Sequence, residues 1–82
     1  MISVEIHSVK LNEKYDFVVD ENLSVSLIIE EIAQMLTRHD RLTLSGDVRQ
    51  FCLYSKKDGR VLSAKNSLYD HGVITGDVLY IV

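Results

Sequence analysis

Four side chains in this 82-residue sequence are of the types that bind metals or attack electrophiles: His7, His39, His71 and Cys52. A zinc site needs thiolates and imidazoles at close ligand spacing, and a nucleophilic cysteine needs a histidine placed to take its proton. These four fall on an expected strand, a helix end and a turn, without such spacing. Surface or structural roles are therefore expected, and neither a metal site nor a cofactor is assigned. Asp16, Asp20 and Glu21 lie at a strand end and a helix start, where acids read as capping charges before they read as a catalytic pair. Ser45-Gly46-Asp47 and Asp58-Gly59-Arg60 are lone turn signals, not a glycine-rich phosphate loop. Lys56, Lys57, Arg60 and Lys65 could meet an acidic partner or lipid headgroups, but four charges on hairpin turns read first as solvated. No enzyme is expected.

The balance of charge narrows the partners. A net charge of −3 argues against nucleic acid, which selects a basic face. Residues 1–31 carry seven acids against Lys10 and Lys14, a local charge of −5, and residues 32–82 carry +2. An uneven solvated surface is the simplest meaning. Self-association of the acidic N-terminal region with the basic C-terminal half is a second, and salt-sensitive oligomers would support it. The N-terminal MISVEIHSV lacks the basic start and apolar run of a signal peptide, and no apolar stretch approaches bilayer length. One cysteine excludes an internal disulfide framework and suits a reducing compartment. A single cytoplasmic domain over 1–82 is expected.

The elements follow from periodicity. Ile2, Val4 and Ile6 alternate with polar residues, as do Tyr15, Phe17 and Val19, and the polar stretch Lys10–Lys14 joins the two runs into a hairpin. From Val25 the period lengthens: Val25, Ile28, Ile29, Ile32, Met35 and Leu36 share a helical face, with Asn22 or Ser24 as cap and Arg38 and His39 closing the end. Its β-branched content means that packing, more than propensity, holds this helix. Arg41–Asp47 reads as a loop and Val48–Ser55 as a strand with Phe51 and Leu53 inward. Lys56-Lys57-Asp58-Gly59 turns into a short strand around Val61-Leu62. Ser67 caps a helical turn over Leu68–Asp70 that Gly72 ends, and a final strand follows Thr75-Gly76-Asp77. The order is β-β-α-β-β-β, an α+β β-grasp with a mixed sheet, one main helix on one face, and a short turn helix before the last strand.

Gly59, then Leu62, then Ser67-Leu68-Tyr69-Asp70-His71-Gly72-Val73 keep the spacings of the hairpin and Thr-Leu-x-Asp-Tyr-Gly-Ile turn of ubiquitin and its relatives. Ser stands for Thr, Val for Ile, and His71 takes the usual Tyr position, where a local hydrogen bond is expected. The resemblance to the ubiquitin-like superfamily covers essentially the whole chain. Within it, the length and the ending Asp70-His71-Gly72-Val73-Ile74-Thr75-Gly76-Asp77-Val78-Leu79 most resemble the YukD-like proteins of Gram-positive type VII (WXG-type) secretion systems. That resemblance implies a bacterial protein with cytosolic partners in a membrane secretion apparatus, such as its membrane-anchored ATPase or a membrane subunit.

Ubiquitin is conjugated through a flexible Gly-Gly tail, and sulfur carriers of the same fold use the same device. Leu79-Tyr80-Ile81-Val82 is instead an apolar strand, so a non-conjugated binding protein is expected. The rival is a protein modifier or sulfur carrier whose Gly-Gly tail lies beyond this sequence. On an alternating final strand Tyr80 and Val82 face away from the helix, as do Cys52 and Tyr54 on the neighbouring strand, with His7 beside them on the first. By resemblance, Tyr54, Tyr80 and Val82 match the hydrophobic patch of ubiquitin, and two exposed tyrosines on adjacent strands suit a protein contact. Ordinary cross-strand packing is the bland alternative.

Overall fold

Two seven-residue strands open the chain: β1 (Ile2–Ser8) and β2 (Glu13–Val19), which pair antiparallel from Ile2↔Val19 to Ser8↔Glu13. In the computed structural model, residues 1–9, 11–40 and 51–82 are described, and side chains within the helix as far as Leu36. The alternation works as expected: Val4, Ile6, Phe17 and Val19 are buried, and Ser3, Asp16 and Val18 are exposed. The link turns at Asn12, whose φ of 53° lies in the left-handed region that asparagine tolerates. Ser8 is buried although polar; its Oγ accepts the N–H of Leu11 and so satisfies the turn.

The helix α1 (Val25–Asp40) lays Val25, Ile28, Ile29, Ile32, Ala33 and Leu36 into the core. Met35, expected on that face, is 51% exposed. At about 100° per residue, Met35 and Ala33 lie on opposite flanks of the stripe centred on Ile32, and the sheet contact covers the Ala33 flank. Ser24, not Asn22, is the cap: its carbonyl accepts the Ile28 N–H and its Oγ that of Leu27. The first two N–H groups of the helix, Val25 and Ser26, donate to the carbonyls of Asn66 and Ala64. The segment before the final turn therefore closes the helix start by backbone bonds. The expected loop 41–47, the strand start 48–50 and the helix-closing side chains Arg38 and His39 fall outside the described residues.

Three short strands complete the sheet: β3 (Leu53–Ser55), β4 (Arg60–Val61) and β5 (Val78–Ile81). The strand order is β2-β1-β5-β3-β4, with β5 parallel to β1 and antiparallel to β3. Leu53, Leu79 and Ile81 point into the core with Leu62, Leu68 and Val73, and Phe51 packs against it half-buried. One helix covers one face of a mixed five-stranded sheet, which is the ubiquitin-like arrangement and an α+β fold. Among the described residues no helix is long and apolar enough to cross a membrane.

The expected turn helix over Leu68–Asp70 is a doubly capped turn rather than a helical segment. Ser67 Oγ accepts the Asp70 N–H at 3.0 Å, and Asp70 Oδ2 accepts the Ser67 N–H at 3.1 Å, a reciprocal box. At the other end Val73 N–H reaches Leu68 O and Gly72 N–H reaches Tyr69 O, with Gly72 at φ 72°. Leu68 and Val73, both buried, make the apolar contact that accompanies this closing motif. A Cβ on Gly72 would meet nothing within 4 Å. Gly72→Ala is thus expected to cost about 1–2 kcal/mol through backbone conformation alone, read by chemical denaturation.

Candidate functional site

The sheet face opposite the helix is built by the residues that alternate with the core. Pairing puts His7 opposite Tyr80, Tyr80 opposite Tyr54, and Tyr54 opposite Val61, while His7 pairs on its other side with Lys14. Lys14, His7, Tyr80, Tyr54 and Val61 thus form one row across all five strands. The His7 ring meets Tyr80 edge-on with centroids 5.1 Å apart, and Tyr54 lies 6.0 Å from Tyr80 at a tilt. Beside this row Cys52 and Val82 exchange both backbone hydrogen bonds, each 2.9 Å. On the other side lie Glu5 and Val78, also a pair, with Asp16 opposite Glu5.

All five residues singled out in the sequence share this face. They differ in exposure. Val82 is exposed and Cys52 half-buried; Tyr54, Tyr80 and His7 are half-buried too, their rings shielding one another. The two tyrosines therefore form a pre-packed platform rather than two free side chains. Val61, Lys14, Glu5 and Val78 complete the face, and the sequence reading did not single them out. Their alternation was visible, but strand order is needed to put them next to Tyr54 and His7. His7 Nε2 is shielded from solvent and makes no hydrogen bond, although a Glu5 carboxylate oxygen lies 3.3 Å away.

The remaining candidates have local duties. His71 Nε2 accepts the Ser63 N–H at 3.1 Å, tying the capped turn to the chain after β4. Asp20 accepts the Asn22 N–H, and the Glu21 carboxylate lies 2.7 Å from the Met1 nitrogen. Lys57, read as solvated, is engaged: its ammonium donates to Gly72 O at 3.2 Å and to Asp77 Oδ2 at 3.0 Å. Cys52, expected within the strand but placed just before β3, and His7 on β1 are separated by β5, so no nucleophile–base pair forms between them. Among the described residues no group of three or more His, Cys, Asp or Glu side chains could hold a metal ion.

Asp77 fastens the final turn. Partial burial pushes its carboxyl upward, but the Ile74 N–H at 3.0 Å and the Lys57 ammonium outweigh this and hold it below the usual carboxylate range. A carboxyl depressed in the folded state stabilises above its unfolded pKa, and that stability is lost as pH falls through the folded value. The stability advantage of wild type over Asp77→Asn is therefore expected to shrink below about pH 4. Urea titrations of both proteins across that range check it.

The sheet, the capped turn and the strand through Ile81 are what a family match must account for. The profile of the family described as "WXG100 protein secretion system (Wss), protein YukD" matches residues 1–81. The chain belongs to the YukD family. Among curated proteins none matches this sequence. Solved structures similar to this YukD-family chain share its fold. A chain of the MycP5-free ESX-5 inner membrane complex superposes with a TM-score of 0.81 at 23% identity, over 99% of this chain and 20% of that one. The YukD-family chain thus spans a fifth of that protein's length. The N-terminal ubiquitin-like domain of a further protein gives 0.75 at 18% identity, over 99% and 72%. A ubiquitin-like domain from Arabidopsis thaliana gives 0.71 at 17%, over 99% and 74%.

Proposed function

We propose that this protein is a non-covalent docking module of a type VII secretion system, acting on the cytosolic side and binding protein components of the apparatus through its open sheet face. The observation that carries the reading is the row His7–Tyr80–Tyr54–Val61, an aromatic and aliphatic platform on a rigid sheet. Membership of a secretion-system family and the fold shared with a chain of the ESX-5 inner membrane complex support the choice of partner class. Tyrosines suit this role because they offer large apolar area and a polar tip at little entropic cost. The mechanism is reversible contact, with no covalent step.

The test is capture from native lysate, with wild type beside a Tyr54→Ala, Tyr80→Ala variant, under mild and under denaturing washes. Secretion-machinery proteins held only under mild washing, and lost with the variant, are the expected result. Adducts that survive denaturation would show a covalent modifier instead. Equal capture by the variant would move the contact off this face.

A further inference from the structure

Two charged residues of the outer face, Glu5 and Lys56, flank β5, the middle strand of the five, while Lys14 and Asp16 stand on the β2 side alone. Glu5 pairs with Val78 from the β1 side. On the β3 side the Lys56 N–H bonds to Val78 O at 3.2 Å, continuing the ladder by one residue, so exposed Lys56 flanks Val78 there. An acid and a base thus stand at equivalent positions left and right of β5. In the next row His7 and Tyr54 stand left and right of Tyr80 in the same way. Among the described residues no ion pair of Lys56 is seen, and the charged neighbour of the Glu5 carboxylate is His7, at 3.3 Å.

This left–right placement of Glu5 and Lys56 about β5 is complementary to itself. We infer that the sheet face pairs with the same face of a second copy, about a two-fold axis running along β5. That operation places Glu5 over Lys56 of the second copy and Lys56 over its Glu5, two ion pairs for one contact. It also sets Tyr80 over Tyr80, His7 over Tyr54, Val82 over Val82, and the stem of Lys14 over Val61. Strands in the two sheets run nearly aligned, the common geometry of face-to-face sheets. A two-fold axis across the strands keeps each residue on its own side of β5, so it never brings Glu5 onto Lys56, and through their row it opposes like charges; charge selects the first arrangement. Five strands and three rows give a contact of roughly 19 by 14 Å, smaller than that of permanent dimers, and the pairing is reversible. The inference rests on the docking reading in sharing its face: the dimer covers the platform that a secretion component would use, and the two contacts compete.

Sedimentation equilibrium of the purified chain tests it. Wild type is expected to dimerise with rising concentration at low salt and to dissociate as salt is added. Glu5→Lys alone, or Lys56→Glu alone, should weaken the dimer about tenfold by opposing like charges twice. An equimolar mixture of these two variants should recover wild-type affinity, because each then presents the charge the other lacks. Tyr80→Ala should weaken the dimer with the charges intact. Circular dichroism confirms that each variant is folded. A wild type that is monomeric at millimolar concentration in low salt overturns the inference, as does a dimer indifferent to the single reversals or a mixture no tighter than its components. Capture of the secretion machinery is read separately. A monomer that still captures it removes the second copy and leaves docking standing, whereas a dimer that captures nothing does the reverse.

Discussion

Leu68→Ala is expected to remove a large part of the domain's stability and to lower its melting temperature markedly. Leu68 is fully buried, and its carbonyl and side chain both serve the motif that closes the capped turn. Removing three buried carbons from a well-packed site costs about 2–5 kcal/mol, through lost transfer energy and the cavity left behind. A chain of 82 residues has on the order of 4–12 kcal/mol of stability in total. The cavity would also open where four parts of the chain meet. Val25 N–H of the helix bonds to Asn66 O, Tyr69 N–H bonds to Glu21 O, and His71 bonds to Ser63. The neighbouring Tyr69→Ala is the control: Tyr69 is 71% exposed, and its loss should change stability by less than about 0.5 kcal/mol. Thermal melts of the two variants beside wild type decide the matter, and a Leu68→Ala protein as stable as wild type would refute the account of the core.

The second large effect is on binding. Once a secretion component that docks on the sheet face is in hand, Tyr80→Ala should weaken its affinity by about 30-fold or more, a typical hot-spot loss. Tyr80 holds the middle of the row and contacts both His7 and Tyr54, so its removal also releases the rings on either side. Tyr54→Ala should cost less, because Tyr54 is nearer the β4 edge. Tyr80→Phe separates area from hydroxyl: it should keep most of the affinity if the platform acts through packed area. Calorimetric titration gives these numbers, and wild-type affinity for Tyr80→Ala would exclude the row as the contact.

Much of the fold was legible in the residues because one face of each element must be apolar. The alternation of Ile2, Val4 and Ile6 and the longer period from Val25 each encode which side is buried, and no neighbour is needed to read it. The Ser67–Val73 turn was equally plain, since capping and the left-handed Gly72 are local chemistry. Met35 was misplaced because periodicity sets the direction of a stripe only to within a flank, and the sheet decides which flank it covers. Lys57 read as a solvated charge because its partners, Gly72 O and Asp77, lie 15 and 20 residues away.

The same division holds for the candidate site. The sequence by itself determined that His7, Cys52, Tyr54, Tyr80 and Val82 turn away from the core, since alternation along a strand fixes the face. Only the tertiary structure decided that His7, Tyr80, Tyr54 and Val61 share one row, that the tyrosines shield one another, and that Glu5 and Lys56 flank β5. Those facts depend on strand order and register, which arise from pairings between segments far apart in the chain. A one-residue slip in any of them would turn a strand's side chains to the other face. Face is a local property; adjacency is not.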